Sequence, residues 1–313
     1  MSGITAAAVN ELRQKTGAGM MDCKKALTES GGDLEKAVDF LRKKGLAAAA
    51  KKAGRVAAEG QVTALVLEGG KIGVVTELNC ETDFVGMGPE FKALVDSVAM
   101  QVAAKNPGDV DALLAQPAVA QAGKDVKTVL TEAVAKIGEN IQVRRFQRFE
   151  TTDGLLGSYI HMGGKIGVIV ELGSDNAAAL AKPEAQQLAR DLCLHVAANK
   201  PLYLVPSEIP ADVIAREREI AKDQARQAGK AEAFLDKIVE GKVAKYGAEV
   251  CLMEQGFVKE PDKAVKKLLD EEGKKLGGKL SIKRFARFEL GEGIEKKKDD
   301  FAAEVAAASG VKA

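Results

Sequence analysis

The stretch Gly-Gly-Lys-Ile-Gly-Val occurs twice in this chain, at residues 69–74 and again at residues 163–168, an offset of 94. A second element, Arg-Phe-x-Arg-Phe-Glu, occurs at residues 145–150 and 284–289, an offset of 139. The second copy therefore carries about 45 additional residues, which follow Pro201. A repeat of this length indicates a duplicated domain rather than a solenoid of short units.

Each copy has the same predicted order of elements: two strands joined at the Gly-Gly-Lys turn, then helices, then a closing strand. The predicted hairpins pair 62–68 with 72–79 and 157–162 with 166–172, and the closing strands are 141–150 and 280–289. The fold class is therefore α+β, with one α+β subdomain made twice.

The segments outside the repeat are predicted to be helical. Three short helices fill the first 45 residues, with Thr5 capping the first, Asp33 capping the third and Gly45 ending it. Residues 46–60, rich in Ala, Lys and Gly, are expected to be a linker, with a partly helical linker as the alternative. The tail, 292–313, has the apolar spacing of one more amphipathic helix, with a frayed terminus as the alternative.

The insert in the second copy contains two helical stretches, 211–227 and 231–246, separated by Ala-Gly-Lys. They predict a projecting helical hairpin whose apolar stripe includes Val213, Ile214 and Ile220. Such a hairpin can serve a subunit contact or simply pack on itself, and the sequence leaves both open.

The composition of the chain argues against several classes of protein. The 313 residues carry a net charge of +1, which does not indicate nucleic acid as the main partner. Four separated cysteines without a CxxC pair are typical of reduced thiols in the cytoplasm. No apolar run reaches the ~18 residues of a membrane helix, and residues 1–14 lack a signal peptide's apolar block.

Catalytic motifs are missing, so we expect no enzyme, no cofactor and no metal site. His195 lies in an apolar helical run typical of a packed core histidine. Residues 273–279 have the spacing of a phosphate-binding loop, but Leu280 stands where a hydroxyl should hold Mg²⁺. That segment also runs from helix to strand, the reverse of the required order.

An alternative function is RNA binding by the basic-aromatic strands at 144–149 and 284–288, which are typical of a stacking platform. Strand geometry argues against it. Phe146 and Phe149 are three residues apart and so face opposite sides of a regular strand.

The two copies differ after their second strands. The first continues with Thr82, Asp83, Phe84 and Val85, whereas the second continues with Asn176-Ala177. Thr82 and Asp83 are residues that hydrogen-bond their own turn backbone. Phe84 is poorly placed for a core, so it either folds back on its own domain or inserts into a partner as a hot-spot anchor.

Two segments carry a specific resemblance. Residues 16–27, Thr-Gly-Ala-Gly-Met-Met-Asp-Cys-Lys-Lys-Ala-Leu, and residues 79–85, Asn-Cys-Glu-Thr-Asp-Phe-Val, resemble the two signatures of the elongation factor Ts family. Residues 137–141 and the tail agree with it, and the duplicated core with its 45-residue insert matches the family's architecture. The resemblance spans nearly the whole chain.

That resemblance implies a guanine-nucleotide exchange factor for elongation factor Tu, which promotes GDP release and GTP reloading during translation elongation. It implies a ubiquitin-associated-like three-helix domain at 1–54, core subdomains at 55–150 and 151–290, a dimerisation hairpin at about 201–247 and a C-terminal helical module at 291–313. A homodimer through that hairpin is then expected.

The same resemblance assigns the contact residues. Thr82, Asp83, Phe84 and Val85 would disturb the Mg²⁺ site of elongation factor Tu, and further contacts would come from Leu12, Gly19, Met20, Met21 and His161. The alternative for Met20 and Met21 is that both fill the core of the N-terminal bundle.

Overall fold

A computed structural model describes residues 4–295. Of the predicted C-terminal helix, 292–313, all residues from 296 onward lie outside the described residues.

The N-terminal helices are α1 (Ala6–Thr16), α2 (Met20–Glu29) and α3 (Leu34–Lys52). Thr5 and Asp33 cap α1 and α3 as predicted: each side chain accepts a hydrogen bond from a first-turn N–H. The apolar stripes of the three helices meet in a small core. Its buried members are Val9, Leu12, Cys23, Ala26, Leu27 and Ala37.

The prediction that Gly45 ends the third helix is wrong, because α3 continues for seven residues, to Lys52. Gly45 is buried, and a Cβ built on it would lie 3.4 Å from the Cβ of Ala135. Gly45 thus lies inside α3, at its contact with Ala135 of α7, and not at the end of the helix.

The first core half is an antiparallel sheet in the order β1-β2-β3 with helices on one face. Its elements are β1 (Glu59–Leu67), β2 (Ile72–Cys80), α4 (Asp83–Met87), α5 (Pro89–Lys105), α6 (Val110–Ala115), α7 (Val126–Ile137) and β3 (Gln142–Glu150). Gly69 and Gly70 both have positive φ, which explains why the turn between β1 and β2 carries two glycines.

The second core half repeats this arrangement in the order β4-β5-β8. Its elements are β4 (Leu155–His161), β5 (Ile166–Ser174), α8 (Ala177–Leu180), α9 (Pro183–Asn199), α10 (Ala211–Gln227), α11 (Glu232–Val250), β6 (Gly256–Phe257), β7 (Glu260–Ala264), α12 (Val265–Leu276) and β8 (Leu280–Glu289). The strands predicted from the two offsets are all present.

The insert forms a helical hairpin of α10 and α11, as predicted. Ala221, Ala225, Leu235 and Val239 are buried along their contact. The predicted stripe is wrong at Ile220, which is exposed, because the helices approach each other through alanines on a neighbouring face.

The two sheets pack face to face around a shared apolar layer that includes Val62, Val75, Phe149, Leu156 and Ile169. The contacts across this layer are reciprocal. The N–H of Val62 donates to the carbonyl of Gly164 at 2.7 Å, and the N–H of Leu156 donates to that of Gly70 at 2.9 Å. Each pair matches at the 94-residue offset, so the halves contact each other as the subunits of a two-fold dimer do.

His195 is the packed, hydrogen-bonded core histidine that the sequence predicts. Its Nε2 lies 3.0 Å from Gln255 Oε1, its Nδ1 accepts the N–H of Val258 at 3.1 Å, and burial lowers its pKa. The ring is therefore a neutral, hydrogen-bonded core group. Within residues 4–295, no helix is long and apolar enough to cross a membrane.

Candidate functional site

The segment that differs between the two copies forms a one-turn helix, α4, directly after β2. Thr82 caps it: its Oγ1 accepts the N–H of Val85 at 3.3 Å. Thr82 thus fills the predicted turn role. Asp83 does not, because its carboxylate makes no hydrogen bond to the described residues, although its charge lies favourably at the helix N-terminus.

Phe84 projects from this helix into solvent with 81% of its surface exposed. The alternative that it folds back on its own domain is therefore wrong. Met87, one turn further along the same face, is 64% exposed, while Val85 and Gly86 turn toward the core. The single turn of α4 thus has two sides: Val85 and Gly86 pack against the domain, and Phe84 and Met87 form an exposed apolar surface.

The inward-facing side of α4 is held against β1 by a close contact between two glycines. A Cβ on Gly86 would lie 3.0 Å from the carbonyl oxygen of Gly60, in β1. Gly60 itself has a φ of 129°, and a Cβ there would lie 2.2 Å from the oxygen of Leu78. A side chain is excluded at Gly60 and would be tight at Gly86, so α4 sits directly on the sheet backbone.

Glu139 holds the start of the helix, a role that sequence reasoning missed. One carboxylate oxygen accepts the N–H groups of Glu81 (2.9 Å) and Thr82 (3.1 Å), and the other accepts the hydroxyl of Thr82 at 2.6 Å. Glu139 lies 57 residues from Thr82 in the chain. No local spacing links the two, and only the resemblance of residues 137–141 drew attention to this segment.

The second copy shows that the scaffold folds without Phe84. Asn176 caps α8 as Thr82 caps α4, accepting the N–H of Ala178 at 3.1 Å. At the 94-residue offset, Ala178 occupies the position of Phe84. An alanine is thus compatible with this turn, and the exposed phenylalanine is not required for folding.

The N-terminal bundle offers a second apolar surface. Met20 and Met21, in the first turn of α2, are 54% and 74% exposed, so the alternative that both fill the bundle core is wrong. Gly19 caps this helix without a side chain. Leu12 needs a correction: it is completely buried, because the stripe of α1 faces α2 and α3, and it is not part of the exposed surface.

His161 lies on a third surface, at the tip of the β4–β5 hairpin. Its Nδ1 is 3.1 Å from the hydroxyl of Tyr159, and both Ile160 and Met162 beside it are exposed. The structure therefore groups Thr82, Asp83, Phe84 and Val85 on one helix but places the methionines and His161 on separate elements.

The strands that suggested RNA stacking use their side chains internally. The guanidinium of Arg145 lies 4.3 Å from the ring centre of Phe288, and that of Arg284 lies 4.2 Å from Phe149. Each arginine also bonds a buried carboxylate of its own sheet, Glu77 or Glu171, at 2.6 Å. These side chains bind the two halves together and do not form an exposed platform.

Within residues 4–295, no group of three or more His, Cys, Asp or Glu side chains is placed to hold a metal ion. The four cysteines are buried thiols. Burial raises the pKa of Cys80 to about 12 and raises that of Cys193 as well. Residues 273–279 run from α12 into β8, and Gly277 ends the helix with a φ of 83°.

Comparison with known proteins gives consistent matches. A family model described as "Elongation factor TS" matches residues 81–292. A relative named "Elongation factor Ts" from Trichlorobacter lovleyi is 52% identical over 309 residues, 99% of each chain. One from Clostridium perfringens is 52% identical and covers 98% of this chain and 99% of the relative. One from Symbiobacterium thermophilum is 52% identical over the whole of both chains.

Proposed function

The chain belongs to the elongation factor Ts family, and on that premise we propose that it is the guanine-nucleotide exchange factor of elongation factor Tu. It would bind the GDP form and promote GDP release and GTP reloading during translation elongation, without covalent chemistry of its own. The observation that best supports this proposal is the exposure of Phe84. This large apolar side chain is 81% exposed and lies on a helical turn that is fixed to the sheet.

A rigid apolar projection suits the displacement of a metal ion. A guanine nucleotide is held largely through Mg²⁺ and a phosphate loop. Mg²⁺ needs near-ideal octahedral coordination, so a small shift of a partner helix would weaken it. Phe84 would produce that shift, with Asp83 as a polar contact beside it. Binding of this chain and binding of Mg·GDP then oppose each other reciprocally.

Phe84 is too small to account for exchange alone. Weakening GDP ~10⁴-fold needs ~5.5 kcal/mol of differential contact, whereas burying one phenylalanine contributes ~1.5–3 kcal/mol. Additional surfaces must therefore act together. Met20 and Met21 on the bundle and Met162 on the β4–β5 hairpin are exposed apolar side chains, and the polar side chain of His161 is exposed beside Met162.

These surfaces suggest a separate role for each domain of the chain. We propose that residues 1–54 form a ubiquitin-associated-like docking domain, that 55–150 and 151–290 are the core subdomains, and that 291–313 form a C-terminal helical module. The hairpin at about 201–247 would serve homodimerisation. Phe234 on α11, 62% exposed, is an apolar side chain available for that contact.

The chain itself should bind neither GDP nor GTP. Residues 273–277 form the C-terminal end of α12, where carbonyl groups and the negative end of the helix dipole repel phosphate. The partner is then the only nucleotide-binding component.

One experiment tests the proposal. Elongation factor Tu is loaded with labelled GDP, and GDP release is measured with and without this chain. The chain is also titrated alone against labelled GDP, and against labelled transfer RNA at several salt concentrations. Accelerated release with no binding in the other two titrations is expected. Micromolar binding of GDP to the chain alone, or tight salt-dependent binding of RNA without accelerated release, would contradict the exchange function.

A further inference from the structure

The duplication provides an internal comparison, because contacts that both halves make serve the common scaffold. One such contact ties the segment after the second strand to the closing strand. Glu81 Oε1 accepts the N–H of Asn140 at 2.6 Å, and Asp175 Oδ1 accepts the N–H of Lys279 at 2.6 Å. These residues correspond at the two offsets of the repeat, so this contact belongs to the fold.

The contacts of Glu139 have no counterpart in the second half. At the 139-residue offset its position is taken by Gly278, where a Cβ would lie 2.6 Å from Ser174 Oγ and 2.9 Å from Asn176 Cβ. The second half therefore leaves no room for a side chain there. It holds its short helix instead through Asn176 Nδ2, which donates to the carbonyl of Gly277 at 2.8 Å.

Two features are thus found only in the first half, and they are adjacent. Phe84 replaces an alanine on the short helix, and Glu139 replaces a glycine beside the start of that helix. The second half folds without the phenylalanine, and it holds its short helix through Asn176 in place of the glutamate. In the first half, the carboxylate that the second half lacks thus lies beside the exposed phenylalanine that the second half lacks.

The carboxylate compensates for the shortness of α4. A helix of five residues cannot sustain itself, because nucleation fixes several residues for very few hydrogen bonds. Glu139 accepts the Glu81 and Thr82 N–H groups and the Thr82 hydroxyl at the helix N-terminus, where negative charge is favoured. It is aimed there by Gly138, whose φ of 92° turns the chain at the end of the packed helix α7.

We propose that Glu139 is a positioning residue for nucleotide exchange, which keeps α4 formed and Phe84 projecting before the partner arrives. A mobile Phe84 would have to lose that freedom on binding, so a preformed turn binds more tightly and acts faster. This inference rests on the proposed exchange function. The residue acts through Phe84 and has no contact of its own with nucleotide or metal in this account.

The first test needs no partner. Amide hydrogen exchange of residues 81–85 is measured in the wild-type chain, in Glu139→Gln and in Glu139→Ala. Glu132→Ala, on the exposed side of α7 in a surface pair with Lys124, is the matched control. We expect at least tenfold faster exchange of the Thr82 and Val85 amides in both Glu139 variants and no change in the control. Unchanged protection in Glu139→Gln, which keeps the size of the side chain, would overturn the proposal.

The second test separates positioning from folding. GDP release from elongation factor Tu is measured for Glu139→Gln and Glu139→Ala, with Phe84 intact and in a Phe84→Ala background. We expect the Glu139 variants to slow release about tenfold when Phe84 is present and to have no further effect when it is absent. An equal loss in both backgrounds would make Glu139 a general structural residue, and wild-type release in both variants would overturn its role.

The two tests also distinguish this inference from the function it rests on. If the wild-type chain does not accelerate GDP release, the proposed exchange function fails and the role of Glu139 in it fails too. If wild type accelerates release and Phe84→Ala does not, while the Glu139 variants behave as wild type, only the positioning role is overturned.

Discussion

Replacing Phe84 with alanine should separate binding from folding. The side chain is 81% exposed, so its removal creates no cavity, and surface changes of this kind alter stability by no more than ~0.5 kcal/mol. The second half of the molecule already carries an alanine, Ala178, at the equivalent place in α8. We therefore expect the thermal unfolding midpoint of Phe84→Ala to stay within about 2 °C of wild type.

The effect on binding follows from the area that remains exposed. A phenylalanine can bury ~150–250 Å². With 81% of it free, at least ~120 Å² is available to a partner, or ~3 kcal/mol at ~25 cal/mol per Å². The methyl group of alanine retains ~0.8 kcal/mol of this. The expected loss is ~2 kcal/mol, about a 30-fold weaker complex with nucleotide-free elongation factor Tu.

The assay is the release of labelled GDP from elongation factor Tu in the presence of Mg²⁺, with Val119→Ala as the control. Val119 is also a largely exposed apolar side chain but lies in the loop between α6 and α7. Phe84→Ala should release GDP slowly and Val119→Ala at the wild-type rate. In chelator, where no metal remains to be displaced, Phe84→Ala and wild type should converge.

Two results would refute this reasoning. A wild-type rate for Phe84→Ala with Mg²⁺ present would remove the side chain from the mechanism. Rates that remain unequal in chelator would show that Phe84 acts on the nucleotide by a route other than the metal.

Further predictions concern the bundle, the sheet interface and the thiols. Replacing Met20 and Met21 together with alanine should weaken the complex and leave the unfolding midpoint unchanged, since both are exposed; a collapsed midpoint in calorimetry would show them to be core residues. Arg284→Ala should destabilise the fold by about 3 kcal/mol in urea denaturation, because Glu171 is buried and, among residues 4–295, would keep as ion-pair partner only Lys283, at 3.7 Å; a loss below about 1 kcal/mol would contradict this account of the interface. Burial raises the pKa of Cys80 to about 12, so at pH 8 only about one thiol in 10⁴ is ionised, and alkylation should need denaturant; rapid labelling of native protein at this residue would count against that.

The repeat made most of the fold predictable. Two offsets, 94 and 139, located the six main strands and the inserted hairpin, because a duplicated domain must build the same sheet twice. The opposite facing of Phe146 and Phe149 also followed from strand geometry alone. Phe149 lies between the sheets, and Phe146 packs toward the helices.

What failed depended on contacts between distant parts of the chain. Gly45 resembles a helix stop until it is seen to be buried inside α3, against Ala135 of α7. Leu12 and Ile220 could each have faced either way on an amphipathic helix, and only the packing of the neighbouring helix decides between core and surface. At the candidate site, Phe84 stood out through its lack of a duplicate, whereas Glu139 could be recognised only once the fold had brought it to Thr82.

Because of the insert, the two sheets can be completed at different times during synthesis of the chain. β3 follows β2 after the 61 residues 81–141, whereas β8 follows β5 after the 105 residues 175–279. At ~5–20 residues per second, a ribosome needs ~5–20 s to supply the strand that closes the second sheet. During that interval the first half can already be closed, while β5 presents an unpaired hydrogen-bonding edge. The finished first sheet, with Val62 and Phe149 on its inner face, then offers the nascent second half a surface to fold against.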